Sequence, residues 1–221
     1  MAGYRSCFAA SLSFLTFELR PTASAAVTLL FVLMLTVSGR AAFKAVIEAD
    51  LDRDGRAERI DLDSDRGLAL QVSRDGKLLW SGVSGSWKPW KLQIADVDGD
   101  GRSEIVVGVF KSTKFFPKPH NCLFIYGWSG DQAFPKWLGS SLGRPFTDFV
   151  FADLDNKPGD ELVAIETTLE RKTGVAIYRW NSFGFTLDRR QGEWGSVKLL
   201  SAAGGRISIE ADGRILSIPV E

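Results

Sequence analysis

From residue 43 onward, apolar and polar positions alternate in short runs broken by glycine and turn dipeptides. The runs "KLQIADVD", "EIVVGVF", "CLFIYGW", "DFVFADLD", "ELVAIETT", "GVAIYRW", "RISIEA" and "RILSIPV" have the strand period of two and are rich in β-branched and aromatic residues. Asp75-Gly76 and Asp212-Gly213 are hairpin signals between such runs. No helix-period segment of useful length interrupts them. The pattern predicts an all-β body of about fifteen strands, with about four each in 43–82, 88–140 and 146–190 and three in 195–219.

The body also repeats itself. "ADLDRDGRAE", "ADVDGDGRSE" and "ADLDNKPGDE" start at residues 49, 95 and 152, each between two strand-like runs. A second marker follows each leading aspartate by 27 to 32 residues: Trp80, Trp128 and Trp180. A repeat of about 50 residues holding about four strands is the signature of a propeller blade, which buries both faces only by stacking on its neighbours. The expected fold is a small β-propeller of about four blades of antiparallel strands, preceded by an N-terminal apolar helix. The last blade is short of one strand or is completed by the N-terminal strand; an open blade stack and a ring completed by a partner are the other closures. The repeated tryptophans are expected to pack between blades.

Ahead of the body, residues 22–38 ("TASAAVTLLFVLMLTVS") carry no charge, follow Arg5 and Arg20, and end at the small residues around Gly39–Ala42. This is the pattern of a signal peptide or membrane anchor over 1–42, with the propeller over 43–221. Cleavage after Gly39 or Ala41 would release the body; retention would tether it through the N-terminal segment. Either outcome predicts an extracytoplasmic protein, secreted, periplasmic or held at the outer face of the cytoplasmic membrane. Cys7 and Cys122 would then lie in different compartments, so no disulfide framework is expected.

The alternating carboxylates repel one another unless a cation sits among them; solvated acidic turns without an ion are the alternative. With Asp50, Asp52 and Asp54 as positions 1, 3 and 5, Gly55 permits a sharp turn at position 6. The carbonyl of Arg56 and the acid of Glu58 can then complete an oxygen shell of the kind calcium prefers. The second loop repeats the set as Asp96, Asp98, Asp100, the Arg102 carbonyl and Glu104. In the third, Asp153, Asp155 and Glu161 remain, but Lys157 stands at position 5, where its ammonium can neutralise the loop without a metal. Ca2+ is therefore expected in the first two loops, with the third a weaker candidate. A helix-loop-helix calcium hand also begins D-x-D-x-D-G, but it requires an acid at position 12 and a following helix. The second loop has Val107 there, followed by strand-like sequence.

These two aspartate loops resemble the FG-GAP or VCBS-type β-propeller repeats, similar to the calcium-binding blades of integrin α-subunit heads and of many bacterial secreted proteins. The resemblance covers residues 43 to about 190. "FPKWLGSSLGRPFTDFVFADLD" and "IYRWNSFGF" further resemble bacterial exported repeat proteins without an established activity. It implies calcium held in blade loops and a role in binding or adhesion. Family propellers commonly have six or seven blades, so a count of four departs from the pattern.

Composition narrows the rest. Equal numbers of basic and acidic residues, 27 each, with no dense basic stripe, argue against nucleic acid as a partner. A single histidine, His120, removes most histidine-based catalytic and zinc designs. "GSSLG" at 139–143 matches the G-x-S-x-G elbow, but Ser141 is followed by strand-like sequence rather than a helix. His120 and Cys122 share a strand face, and a thiol dyad would also need an activating environment. The segment "FKSTKFFPKPHNC" is the longest non-strand connection, and long loops on rigid scaffolds carry binding. Its Lys111, Lys114, Lys118 and His120, with Trp137 and Arg144, are the candidate ligand-binding residues. No catalytic residue is assigned. The sequence reads as an exported calcium-binding propeller module for an extracellular protein or glycan, with a homo-oligomer possible. Two alternatives stay open: a metal-dependent enzyme acting on polysaccharide or phosphate esters, and a structural subunit completing a propeller with a partner chain.

Overall fold

The computed structural model describes residues 42–139 and 141–220. The expected apolar helix, the charge-free run at 22–38 and Cys7 lie outside the described residues. Among the described residues no helix is long and apolar enough to cross a membrane.

Among the described residues, fifteen strands form four antiparallel sheets in a propeller-like ring. Blade 1 holds β1 (Lys44–Ala49), β2 (Glu58–Asp63), β3 (Leu68–Arg74) and β4 (Lys77–Ser84), paired in that order. Blade 2 holds β5 (Lys91–Ala95), β6 (Glu104–Lys111), β7 (His120–Ser129) and β8 (Gln132–Leu138). Blade 3 holds β9 (Phe146–Ala152), β10 (Glu161–Thr167), β11 (Thr173–Asn181) and β12 (Gly184–Trp194). Blade 4 stops at three: β13 (Val197–Ala203), β14 (Arg206–Ala211) and β15 (Arg214–Pro219). The N-terminal strand belongs to blade 1 and does not complete blade 4. The hairpins β3–β4 and β14–β15 turn at Asp75-Gly76 and Asp212-Gly213, all four residues at positive φ, as two-residue turns matching the strand twist require.

Three apolar clusters hold the blades together. Blades 1 and 2 share one containing Leu51, Ile60, Val107 and Phe124, with Trp80 and Trp128. Blades 2 and 3 share one around Phe149 and Leu162, with Trp137 and Trp180 at its edge. Blades 3 and 4 share a third around Leu154, Ile165 and Ile209. The repeated tryptophans thus sit between blades.

Among the described residues no fourth cluster joins blade 4 to blade 1, and the second strands explain why. In β6 and β10, six consecutive residues are buried, Glu104–Val109 and Glu161–Glu166, because each strand is covered on both faces. In β2, buried Glu58, Ile60 and Leu62 alternate with Arg59, Asp61 and Asp63, and β14 alternates likewise. The open face of blade 1 carries ion pairs instead, including Arg66–Asp61 at 2.8 Å and Lys44–Asp63 at 3.1 Å. A space of about 620 Å³ is bordered by residues at or near the starts of the first strands of the four blades, among them Phe43, Lys91, Asp148 and Lys198.

Candidate functional site

The three acidic loops connect the first strand to the second in blades 1, 2 and 3, and one hydrogen-bond scheme builds all three. The leading aspartate folds the loop back on itself. Asp50 accepts the backbone N–H groups of Asp54 and Gly55 at 3.1 and 2.9 Å. Asp96 accepts those of Gly99 and Gly101 at 2.8 and 2.9 Å, and Asp153 those of Asp155 and Asn156 at 3.2 and 2.6 Å. The glutamate at position 9 closes the loop from its far end. Glu58, Glu104 and Glu161 are all buried, and each accepts the backbone N–H at position 2 (Leu51, Val97, Leu154) at 3.0, 2.9 and 2.8 Å.

This folding gathers the acids at positions 1, 3 and 9. Oxygens of Asp50, Asp52 and Glu58 lie within 4.8 Å of one another, as do those of Asp96, Asp98 and Glu104 and those of Asp153, Asp155 and Glu161. The third loop therefore forms the same triad despite Lys157, whose ammonium pairs with Asp155 at 2.9 Å. The acids at position 5 stand outside the triads: Asp54 and Asp100 are exposed and accept the N–H groups of Arg56 and Arg102, each at 2.8 Å. Arg56 and Arg102 are exposed, and the Arg56 guanidinium pairs with Asp75.

Each triad is also met by a basic side chain from a later strand of its own blade, which the sequence reading missed. Arg74, at the end of β3, donates from Nε to Glu58 at 2.6 Å and lies 3.8 Å from Asp52 and 3.5 Å from Asp54. Lys136, in β8, contacts Asp98 at 2.5 Å and Glu104 at 2.7 Å. Arg179, in β11, contacts Asp155 at 2.9 Å and Glu161 at 2.5 Å. Burial pushes the Glu104 and Glu161 carboxyls above their ordinary value, although the paired cations and the backbone donors pull the other way. Burial would lower Lys136, but its hydrogen bonds to Asp98 and Glu104 outweigh it and raise the ammonium's pKa. The hydrogen bond from Lys157 holds Asp155 below the usual range. A signal for two of the cations was in the chain: Lys136 and Arg179 each immediately precede a tryptophan in a strand run.

The loops touch their neighbours and so run along the inter-blade seams. Ser103 of the second loop donates its N–H to the Leu51 carbonyl of the first at 3.2 Å. Arg53 packs its guanidinium on Gly101 so closely that a Cβ there would lie 2.4 Å from Nη1. Asp160 of the third loop donates its N–H to the Asp96 carbonyl at 2.7 Å and accepts the Asp96 N–H at 3.1 Å. Its carboxyl is raised, chiefly by burial.

The donor set fits a hard divalent cation unequally in the three loops. Asp52 offers Oδ2 to Arg74, while its Oδ1 is buried and has no hydrogen-bond partner. A buried carboxylate oxygen left unsatisfied is costly, and an all-carboxylate set suits calcium or magnesium better than zinc. Among the described residues the second and third triads have no such orphaned carboxylate oxygen. The three acidic triads could each hold a metal ion, and in the first both Asp52 Oδ1 and the neighbouring Arg74 Nη2 are buried without a hydrogen-bond partner.

The residues of the long loop divide between two places. Lys118, His120 and Arg144 line a cleft of about 530 Å³. Lys111 instead lies over the Trp87 ring, 4.2 Å from its centroid. Lys114 is exposed, and Trp137 packs edge-on against Phe185 at 5.2 Å; neither lines the cleft. His120 is committed internally, with Nδ1 3.0 Å from the Lys118 carbonyl and Nε2 3.4 Å from Cys122 Sγ. Burial raises the Cys122 thiol, the opposite of what an activated nucleophile needs. Ser141 lines the same cleft, and strand β9 rather than a helix follows it.

No known family model matches the chain, and no curated protein matches it.

Proposed function

We propose that this chain is an exported, calcium-stabilised β-propeller module of the FG-GAP/VCBS type that binds a protein or glycan at the cell surface. Residues 1–42 would act as signal peptide or membrane anchor and 43–221 as the propeller. The charge-free run at 22–38 supports export, and the repeated D-x-D-x-D-G loops on four antiparallel sheets support the family reading.

The buried, partnerless Oδ1 of Asp52 within the Asp50–Asp52–Glu58 triad carries the metal assignment. Asp50, Asp52, Asp54 and Glu58 with the Arg56 carbonyl would hold the first ion; Asp96, Asp98, Asp100 and Glu104 with the Arg102 carbonyl would hold a second. Bound calcium would supply positive charge to turns that already form the inter-blade seams. Backbone N–H groups already occupy Asp50, while Leu51 and Arg74 occupy Glu58, which favours a structural ion over a catalytic one. Calorimetric titration of the full chain with calcium tests the assignment. Saturable calcium binding, weaker for magnesium and lost first in Asp52→Asn, supports it. Absence of binding, or wild-type binding by Asp52→Asn, overturns it.

A second reading, a subunit that completes its ring with a partner chain, is favoured by the lack, among the described residues, of an apolar cluster between blades 4 and 1. A solution mass of twice the chain would support a second copy as that partner.

A further inference from the structure

The geometry points to the cleft between the 116–121 loop and the 141–146 loop as a binding site for a small aromatic carboxylate. Calcium plays no part in this site. The cleft's volume, about 530 Å³, is in the range of small-molecule sites.

Both walls are fixed from behind. On one side, Thr113 and Phe116 exchange two hydrogen bonds, Thr113 N–H to the Phe116 carbonyl at 2.9 Å and Phe116 N–H to Thr113 Oγ1 at 3.2 Å. The His120 ring meets Phe116 edge-on at 5.3 Å. On the other side, Gly143 donates its N–H to the Tyr178 hydroxyl at 3.1 Å. That hydroxyl donates to Glu166, which is 2 % exposed, and Arg190 donates to the same carboxylate at 2.6 Å. Thr167 N–H reaches the Pro145 carbonyl at 2.8 Å, and the Asn121 side-chain amide joins the two walls by donating to the Phe146 carbonyl at 2.9 Å. A site held this way loses little conformational freedom on binding.

The lining sets the chemistry of the occupant. Phe116, Pro117, Pro119, Pro145 and Phe146 make the lining apolar, the first four exposed and Phe146 only 4 % exposed at its floor, and a ring packs well against such a surface. Three of these five are prolines, which have no backbone N–H to offer. No acidic residue lines the cleft, whereas Lys118 and Arg144 do, both exposed and neither in an ion pair among the described residues. Glu170 feels the charge of Arg144 but is not part of the lining. An occupant with a ring-sized apolar body and one negative charge matches both features. A carboxylate meets the planar guanidinium of Arg144 in the geometry that favours paired hydrogen bonds.

The test is calorimetric titration of the full chain with 2-naphthoate, its neutral isostere 2-naphthamide, and 2-naphthylmethylamine. The expected order is naphthoate tightest, by about tenfold or more over the amide, with the amine weakest. Lys118→Gln/Arg144→Gln should remove the preference for the acid without moving the thermal midpoint. Asp52→Asn, in the acidic loop, should leave it intact, so failure here and failure of the calcium reading are separable. Broadening of Phe116 and Phe146 ring resonances by naphthoate checks the location without any substitution. Equal affinity for acid and amide, no binding of the acid, or a preference that survives the double substitution would overturn the assignment.

Discussion

Lys136 and Glu104, 32 residues apart, meet at 2.7 Å, with the lysine side chain 15 % exposed and the glutamate 4 %. The same glutamate accepts the Val97 N–H, so one buried carboxylate ties an acidic loop to the outermost strand of its blade. Lys136→Met leaves that charge buried without its cation, which costs about 3 kcal/mol. Glu104→Gln/Lys136→Met should recover part of the loss. Burial already raises the Glu104 carboxyl above 4.5, and loss of Lys136 raises it further. A folded-state pKa above the unfolded value means that protonation favours the fold, so the variant's deficit should shrink as pH falls from 7 toward 4.5. Urea unfolding across that range measures it; a pH-independent deficit would contradict the pairing.

Gly99 and Gly55 separate the cost of a turn from the cost of a seam. Both have positive φ, +74° and +85°, so alanine at either meets backbone strain of about 1 kcal/mol. A Cβ at Gly55 meets nothing within 4 Å, whereas one at Gly99 would lie 2.8 Å from the Pro158 carbonyl carbon of the next loop. Gly99→Ala should therefore destabilise by about 1–3 kcal/mol more than Gly55→Ala. Equal unfolding free energies for the two variants would show that the second and third loops do not press together.

Alkaline pH should loosen the body through two tyrosines. Burial pushes Tyr126 up to about 12, and burial with the Glu166 hydrogen bond does the same to Tyr178. Their contribution is complete below the ordinary value of 10 and declines as pH rises from 10 to 12, because the unfolded chain gives up those protons first. Tyrosinate absorbance should develop above pH 10 together with loss of β-sheet signal. Two tyrosines ionising near pH 10 in a chain that stays folded would contradict their placement.

Much of the architecture was legible because strands declare themselves through a period of two and the repeat supplied three registered copies. The difference between end blades and middle blades was legible as well: "EIVVGVF" and "ELVAIE" are apolar on both faces, "ERIDLD" on one. The loop acids could be located, but not their partners. Arg74, Lys136 and Arg179 approach from 16, 32 and 18 residues away, a pairing that only strand register decides. The cleft was half legible. The loop with Lys118 and His120 stood out, but Gly143 is held by Tyr178 from another strand, and Trp137 turned inward to the seam between blades 2 and 3.

That contrast between blades predicts their dynamics. Amides of β6 and β10, covered on both faces, should exchange with solvent markedly more slowly than those of β2 and β14, which are covered on one. Hydrogen exchange read strand by strand checks this. Equal protection in all four would indicate that blades 1 and 4 bury a seam in solution.

The most direct measurement on the central claim is the thermal midpoint of the full chain as calcium is raised from chelator to a large excess over its dissociation constant, beside Asp52→Asn. A ligand at about 100 times that constant stabilises by about 2.7 kcal/mol, which for a chain of this size is a rise of about 5–10 °C. The wild type should show that rise with calcium and a smaller one with magnesium, and Asp52→Asn a clearly reduced one. A midpoint indifferent to calcium, or a full rise in Asp52→Asn, would mean that Arg74, Lys136 and Arg179 satisfy the acidic loops by themselves.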